Sequence, residues 1–342
     1  MAQSESRRNV GFRKENRSLV PWRIDAAARL TSSRLEAPSC IASRHPALRE
    51  DSVMPTSSPP SQAELWNGNS GLAWVDTQPI LDAMFQPLEQ RLTEAAAADA
   101  SARPRRVLDV GCGTGATTLA LAAMAEDGQG GAFGDCLGID ISAPMLALAR
   151  TRADQRGLRA ARFVRADAQT HDFAPAGFEL IQSRFSVMFF DDPRAAFANL
   201  RRAAAPGARL RFIAWRPADE NPFMTTAERA AARLLPGLPA RDPNRPGQFA
   251  FGDPERMIGI LHGAGWERIE IAPLDAACAL PERDLPAYAL RLGPVGQQLC
   301  EADARTRAQV IETVCAAFAP FLDGDMLHYQ AACWWVEARA PV

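Results

Sequence analysis

Val107 to Ala116 reads V-L-D-V-G-C-G-T-G-A, a short apolar run carrying an acid, then glycine at every second position. Gly111, Gly113 and Gly115 allow a turn with positive φ, and without a Cβ they let a ligand approach the backbone closely. Ala116 to Ala125 is built of good helix formers, so the turn delivers the chain to a helix N-terminus whose first N–H groups are free. Strand, glycine turn and helix in that order make a cradle for a nucleotide-like ligand.

The glycines alone leave two readings open. Gly111, Gly113 and Ala116 fit the dinucleotide fingerprint G-x-G-x-x-G/A of nicotinamide and flavin enzymes. The surroundings point elsewhere: Asp109 stands two residues before the first glycine, C-L-G-I-D ends in Asp140, and F-V-R-A-D-A spans Phe163 to Ala168. This set, in order and spacing from Val107 to Trp215, resembles the class I S-adenosylmethionine-dependent methyltransferases.

A carboxylate at the carboxyl end of a strand, one βαβ unit after the glycine turn, can accept from both hydroxyls of a ribose. Asp140 holds that position, and its competing reading is a cap for the helix that Ser142 and Pro144 announce. The resemblance implies further roles in binding S-adenosylmethionine. Ile141 and Met145 would lie near the adenine, Asp167 would accept from its amino group, and Ala168 would offer a backbone N–H. Asp109 would hold the turn and approach the amino group of the methionine part, with Ser183, Arg184 and Met188 bordering that part or the substrate. Arg184 pairs either with an anionic acceptor or with Asp191. A general base is needed only if the acceptor must lose a proton early, and His171, four residues after Asp167, is the candidate by position and ordinary pKa. Its competing reading is an exposed loop histidine. Trp215 and Arg216, at the end of the fifth strand, are expected in the pocket wall.

Composition removes rivals. Lys14 is the only lysine, so Schiff-base chemistry, a P-loop lysine and a Tyr-x-x-x-Lys pair are all excluded. A net charge of −2 without a basic block in the core disfavours nucleic acid as a partner. Seven cysteines without C-x-x-C spacing, and four scattered histidines, suggest neither a disulfide framework nor a metal site, which suits a cytoplasmic protein. Cys112, inside the turn, reads as a small filler. No apolar run reaches the length of a membrane span.

Residues 1–61 read differently from the rest. They are rich in Arg and Ser, lack apolar periodicity, and run into M-P-T-S-S-P-P-S-Q at 54–62, so they are expected to be a disordered extension and linker, with Met54 as a candidate true start. Arg7-Arg8 resembles a twin-arginine export signal, but no apolar segment follows it. From Gln62 the pattern changes. Trp66, Asn67, Gly68, Gly71 and Trp74 resemble the W-N-G-x-x-G-x-x-W opening of a ubiquinone and menaquinone methylase-like group. That segment reads either as a lid over the cofactor, with Trp66 touching it, or as a staple for the helix expected over Pro79 to Ala98.

The rest of residues 62–342 is expected to complete one α/β domain, a doubly wound, Rossmann-like, seven-stranded, mostly parallel sheet whose last strand is antiparallel. Strands are expected over Phe178 to Phe185, Ala208 to Trp215, Trp266 to Ile271 and Ala332 to Ala340. Helices are expected from Asp191 or Asp192 to Pro206-Gly207, and over Met257 to Gly265. Helical insertions at about 216–251 and 280–325 leave the ligand-binding edge of the sheet and are expected to cap the substrate.

Three functions follow. The first is methyl transfer from S-adenosylmethionine to a small organic acceptor by in-line displacement. The second is an NAD(P)-dependent oxidoreductase, in which Asp167 has no task. The third is a non-catalytic cofactor-binding protein of the same fold.

Overall fold

The computed structural model describes residues 61–99, 105–126, 133–300 and 302–342. The expected disorder of residues 1–61, and with it the question of Met54, lies outside the described residues apart from Ser61, which caps the first helix. In chain order the elements are α1 Gln62–Asn67, α2 Asn69–Asp76, α3 Gln78–Ala98, β1 Arg105–Val110, α4 Ala116–Glu126, β2 Phe133–Asp140, α5 Ala143–Arg156, β3 Ala161–Arg165, β4 Phe178–Arg184 and α6 Pro193–Ala203. They continue with β5 Ala204–Trp215, α7 Pro222–Ala231, α8 Pro254–Gly263, β6 Glu267–Pro281, α9 Leu285–Arg291, α10 Gly293–Leu299, α11 Ala304–Ala317, β7 Leu322–Asp323 and β8 Met326–Arg339.

The sheet runs β3-β2-β1-β4-β5-β8-β6. Strands β1 to β5 are mutually parallel, and β8 is antiparallel to both neighbours. The expected seven strands and the antiparallel last strand are present, and the two-residue β7 adds a short hairpin on β8. Strand order reverses between β1 and β4, so a crevice opens at their carboxyl ends, where open α/β sheets bind ligands. In β1, Val107, Leu108 and Val110 are all buried, as a parallel strand covered on both faces requires.

Element ends differ from expectation where local signals compete. Helix α6 starts under Asp192, which accepts from Ala195 N–H, but it stops at Ala203 rather than at Pro206-Gly207. Those two residues lie inside β5, where Ala204 already pairs with Phe178 and the register shifts before Leu180. A proline without an N–H and a glycine at φ +71° suit that irregular stretch. Helix α8 begins three residues earlier than expected, because Asp253 caps it ahead of Pro254. Strands β6 and β8 are longer than their core-facing segments. Beyond Trp215, the last residue of β5, they pair with each other, with β7 added at the tip of β8, and form a ribbon rising past the carboxyl edge. Both insertions are helical: α7 lies in the first, and α9, α10 and α11 in the second, with α11 packed against α7 and α9.

Helix α3 lies across one face of the sheet and ends in an ionic cluster. Asp99 meets Arg209 and Arg211 at 3.1 Å each, and Glu337 accepts from Arg211 Nε at 2.8 Å. The Arg211 side chain is only 3% exposed, so this charge depends on its partners. Burial pushes the Glu337 carboxyl up, but the Arg211 hydrogen bond and charge, the Trp335 N–H and Arg209 together hold it below its ordinary value. Asp99→Ala removes one of the two carboxylates that face the buried Arg211 guanidinium, leaving Glu337 alone, and is expected to cost about 3 kcal/mol in urea unfolding, in the range for breaking a buried ion pair. A loss below about 0.5 kcal/mol would place the cluster among exposed pairs that contribute little.

Candidate active site

The glycine turn leaves β1 with φ of +64° at Gly111, +57° at Gly113 and +88° at Gly115, the left-handed backbone that the sequence requires. Its tightest point is Gly111, where a Cβ would stand 2.1 Å from the Ser186 Cβ, and Ser186 Oγ also donates to Gly111 O at 2.6 Å. At Gly113 a Cβ would meet only the flexible end of Met145, at 2.8 Å. Cys112 packs over Gly138, and burial, with Asp140 and Asp109 nearby, holds its thiol well above the ordinary range. It is therefore a protonated filler.

Asp140 ends β2 and faces two backbone donors. Its Oδ2 accepts from Gly113 N–H and its Oδ1 from Ser142 N–H, each at 2.8 Å. The cap of α5 is Ser142 itself, whose hydroxyl accepts from Met145 N–H, so capping does not exhaust the Asp140 carboxylate. Burial raises its pKa, opposed by the hydrogen bonds from Ser142, Gly113 and Ile141. Asp109, on β1 beneath the turn, is 2% exposed and accepts from Thr118 Oγ1 at 2.6 Å. Burial pushes its carboxyl up to about 7, against the Thr118 hydrogen bond and the charge of Arg184.

The tryptophan-asparagine-glycine segment forms α1 and α2 and is bolted to the start of α5. Asn67 Nδ2 donates to Ile141 O at 3.0 Å, Asn67 Oδ1 accepts from Ala143 N–H at 2.9 Å, and Ser142 Oγ donates to Trp66 O at 2.6 Å. Gly71 is needed because a Cβ would stand 2.0 Å from Trp66 O. The half-buried Trp66 ring meets Trp74 and Phe189 edge to face, at 6.2 and 5.2 Å. The staple reading had this segment packing on α3, but its hydrogen bonds go to α5. On its far side, Gln297 Nε2 donates to Ser70 Oγ at 3.0 Å, and Arg291 pairs with Asp76, which ties α2 to α9 and α10.

Past β3, Asp167 forms a local turn in which its Oδ1 accepts from Gln169 N–H at 2.9 Å, and Ala168 is buried with its carbonyl taken by Asn199 Nδ2. Asn199 also accepts nothing from the His171 ring; it donates to His171 O, and the imidazole turns edge-on to Phe173 at 4.6 Å. Phe173 in turn meets Phe178, which starts β4 at the edge opposite the crevice. The ring contact of His171 is thus with Phe173, on the side of the sheet edge where β4 begins. His171 therefore lies in the loop between β3 and β4, with its carbonyl held by Asn199 and its ring against Phe173.

At the end of β4, the Ser183 hydroxyl is buried and donates to Val110 O at 2.8 Å, which ties the two carboxyl ends together. Phe185 follows with φ +66°, a strained conformation for a bulky residue, at the mouth of the crevice. Its ring stacks on Trp215 at 4.4 Å, with Phe85 edge-on to both. Arg184 does not pair with Asp191. It donates to Phe85 O at 3.3 Å, lies 5.9 Å from the Phe85 ring, and among the described residues has no carboxylate within ion-pair distance. Arg216, by contrast, is engaged with Glu220 and Asp275 at 2.9 and 3.0 Å. Met188 is buried, with its sulfur accepting from Trp215 N–H. Sequence reasoning missed Thr118, Gly138 and Ser186, which carry no motif. It flagged Asn67 without its clamp role.

Comparison with known proteins places these features in a family. A methyltransferase domain model matches residues 107–207. A demethylmenaquinone methyltransferase of Thermus thermophilus is 32% identical over 171 residues, covering 48% of this chain and 74% of the relative. One of Deinococcus radiodurans is 30% identical over 181 residues, covering 50% and 72%. The solved structure of YcgJ from Bacillus subtilis aligns with 74% of this chain and 99% of its own at 18% identity, with a TM-score of 0.49. The matched segment opens on the strand and glycine turn described above and runs through the strand-end acids, and the chain belongs to the class I S-adenosylmethionine-dependent methyltransferases.

Proposed function

We propose that S-adenosylmethionine lies along the carboxyl ends of β1, β2 and β4, with its ribose on Asp140, its methionine amino group toward Asp109, and Trp66 over it. The observation that carries this reading is the pair of strand-end carboxylates, Asp109 buried and Asp140 half-buried, around a turn that no Cβ could enter at Gly111. Both carboxylates are raised by burial and suit a cationic, hydroxyl-bearing ligand. Ile141 and Met145, beside the turn, fit the adenine side. Asp167 and Ala168 would reach the adenine amino end, Asp167 through Oδ2, which here accepts at 3.3 Å from Gln169 Nε2.

The cofactor supplies an activated methyl group on a sulfonium, so the protein's part is placement. Phe85, Phe185 and Trp215 offer flat apolar contact beside the reacting end, and Arg184 offers a charge to an acceptor oxygen that becomes anionic. The clamp of α1 and α2 on α5 and their tie to α9 and α10 exclude water from the same space. Relatives named for demethylmenaquinone support a planar, oxygen-bearing acceptor. Among the described residues no helix is long and apolar enough to cross a membrane.

Calorimetric titration with S-adenosylmethionine, S-adenosylhomocysteine and NADH is expected to show micromolar binding of the first two and none of the third; binding of NADH alone would overturn the assignment. Asp140→Ala is expected to weaken S-adenosylhomocysteine at least tenfold by removing the ribose acceptor, and Gly111→Ala to abolish binding through the clash with Ser186. Equal affinity in either variant would remove that residue from the site.

The Asp109 carboxyl gives a pH signature. With a pKa of about 7 it is mostly protonated at pH 6 and mostly ionised at pH 8, so a ligand that needs the carboxylate should bind about tenfold tighter at pH 8. Asp109→Asn should flatten that dependence. For the unliganded fold the sign is opposite. A raised folded-state pKa stabilises below the unfolded value near 3.8, and that contribution is lost as pH rises through 7. Asp109→Asn, which keeps an acceptor for Thr118, should therefore raise the melting temperature of the unliganded protein at pH 8. A lower melting temperature there would count against the charge argument.

A further inference from the structure

A polar row crosses the sheet beneath the glycine turn. Asp109 of β1 is level with Gln182 of β4, Gln182 with Arg211 of β5, and Arg211 with Glu337 of β8. Side chains level on neighbouring strands point to one face. It is the face that α3 and α4 cover, since Thr118 of α4 reaches Asp109, and Arg184, two places along β4 from Gln182, reaches Phe85 of α3. Gln182 is 0% exposed, yet neither its Nε2 nor its Oε1 makes a hydrogen bond. Two unpaired polar atoms in a core are costly, and methionine would fill the same length without them.

The unpaired atoms complement one another. Arg211 uses Nη2 on Asp99 and Nε on Glu337, and its buried Nη1 makes no hydrogen bond. Asp109 accepts from Thr118 at Oδ2, so Oδ1 can take a second donor. One change of rotamer brings Gln182 to both neighbours, its amide N–H toward the carboxylate and its carbonyl toward the guanidinium. Glutamine suits the place because its tip carries a donor and an acceptor without a charge.

We propose that Gln182 is a positioning residue whose Nε2 donates to the ionised Asp109 carboxylate while its Oε1 accepts from Arg211 Nη1, so that the ionic cluster of the core steadies the acid facing the cofactor. This rests on the placement of the methionine amino group toward Asp109 and adds what holds that acid in its charged form. The other titratable groups around Asp109 are Arg184 on β4, Asp140 and Cys136 on β2, Cys112 in the turn and Glu89 on α3. Burial pushes the Cys136 thiol up to about 12 and that of Cys112 well above its ordinary value, so both stay protonated below pH 8.5.

The test titrates the full chain, as parent and as Gln182→Met, with S-adenosylhomocysteine between pH 6 and pH 8.5. A hydrogen bond to a charged carboxyl favours ionisation, so its removal should move the midpoint of binding up by about one pH unit. The variant is then expected to bind about fivefold more weakly at pH 7 and within twofold of the parent at pH 8.5. Without ligand, Asp109 is mostly protonated in both proteins at pH 6, and Gln182→Met should melt at the same or a higher temperature. As pH rises through the folded-state value, ionisation of the buried acid removes stability, and it removes more where that value is higher. At pH 8.5 the variant should therefore melt below the parent. In an Asp109→Asn background, which leaves Asp140 and Glu89 in place, the pH dependence of both differences should vanish. A loss of affinity by the same factor at every pH overturns the proposal, as do unchanged affinity at pH 7 and a variant that fails to fold at pH 6. Failure of S-adenosylhomocysteine to bind the parent would strike the underlying reading instead, and the melting temperatures, which need no ligand, would still decide the role of Gln182.

Discussion

The structure turns on one carboxylate. Asp140 accepts from Gly113 and from Ser142, so a single side chain fixes the glycine turn after β1 against the start of α5 after β2. Each partner is a backbone N–H that its own element leaves unpaired, one in a left-handed turn and one ahead of a helix. Taking an anion out of water at that point is costly, and those donors offset part of the cost. Asn67 then binds to the same helix start from outside, which places the first two helices over the crevice.

The central half-sheet was readable because its signals are local. The apolar strand, three glycines, the strand-end acids and the Ser142 and Pro144 start all act within a few residues, and the observed turn and cap match them. Pro206-Gly207 misled because a proline-glycine pair usually ends a helix, whereas here pairing of Ala204 with Phe178 decides the outcome at long range. The extent of β6 and β8 was illegible for a related reason. Their upper halves are held by each other and by inserted helices, and nothing in Glu267 to Pro281 alone announces the partner. His171 shows the limit for sites: proximity to Asp167 in sequence says nothing about where a loop turns its ring.

The crevice has an electrostatic division. Around the glycine turn two carboxylates meet backbone and hydroxyl donors, and toward Trp215 the charged group is a guanidinium over the Phe85 ring. Arginine suits the second position because it keeps its charge when partly buried and lies flat on a ring. Farther down the same face, Arg209 and Arg211 are neutralised by Asp99 and Glu337, so that positive charge is used up within the core and does not extend the field of Arg184.

The tie between α2 and the inserted helices differs in kind from everything beneath it. Asp76 is half exposed and Arg291 about a third exposed, and with them stands a single hydroxyl–amide contact between Ser70 and Gln297. The attraction between such groups reaches about 10 Å at 0.1 M ionic strength and about 3 Å at 1 M. The seam that closes the crevice is therefore its salt-sensitive part, while the Asp140 and Asn67 bonds lie in more protected surroundings. Added salt therefore weakens the Asp76–Arg291 tie between α2 and α9 before it reaches the bonds that Asp140 and Asn67 make at the start of α5.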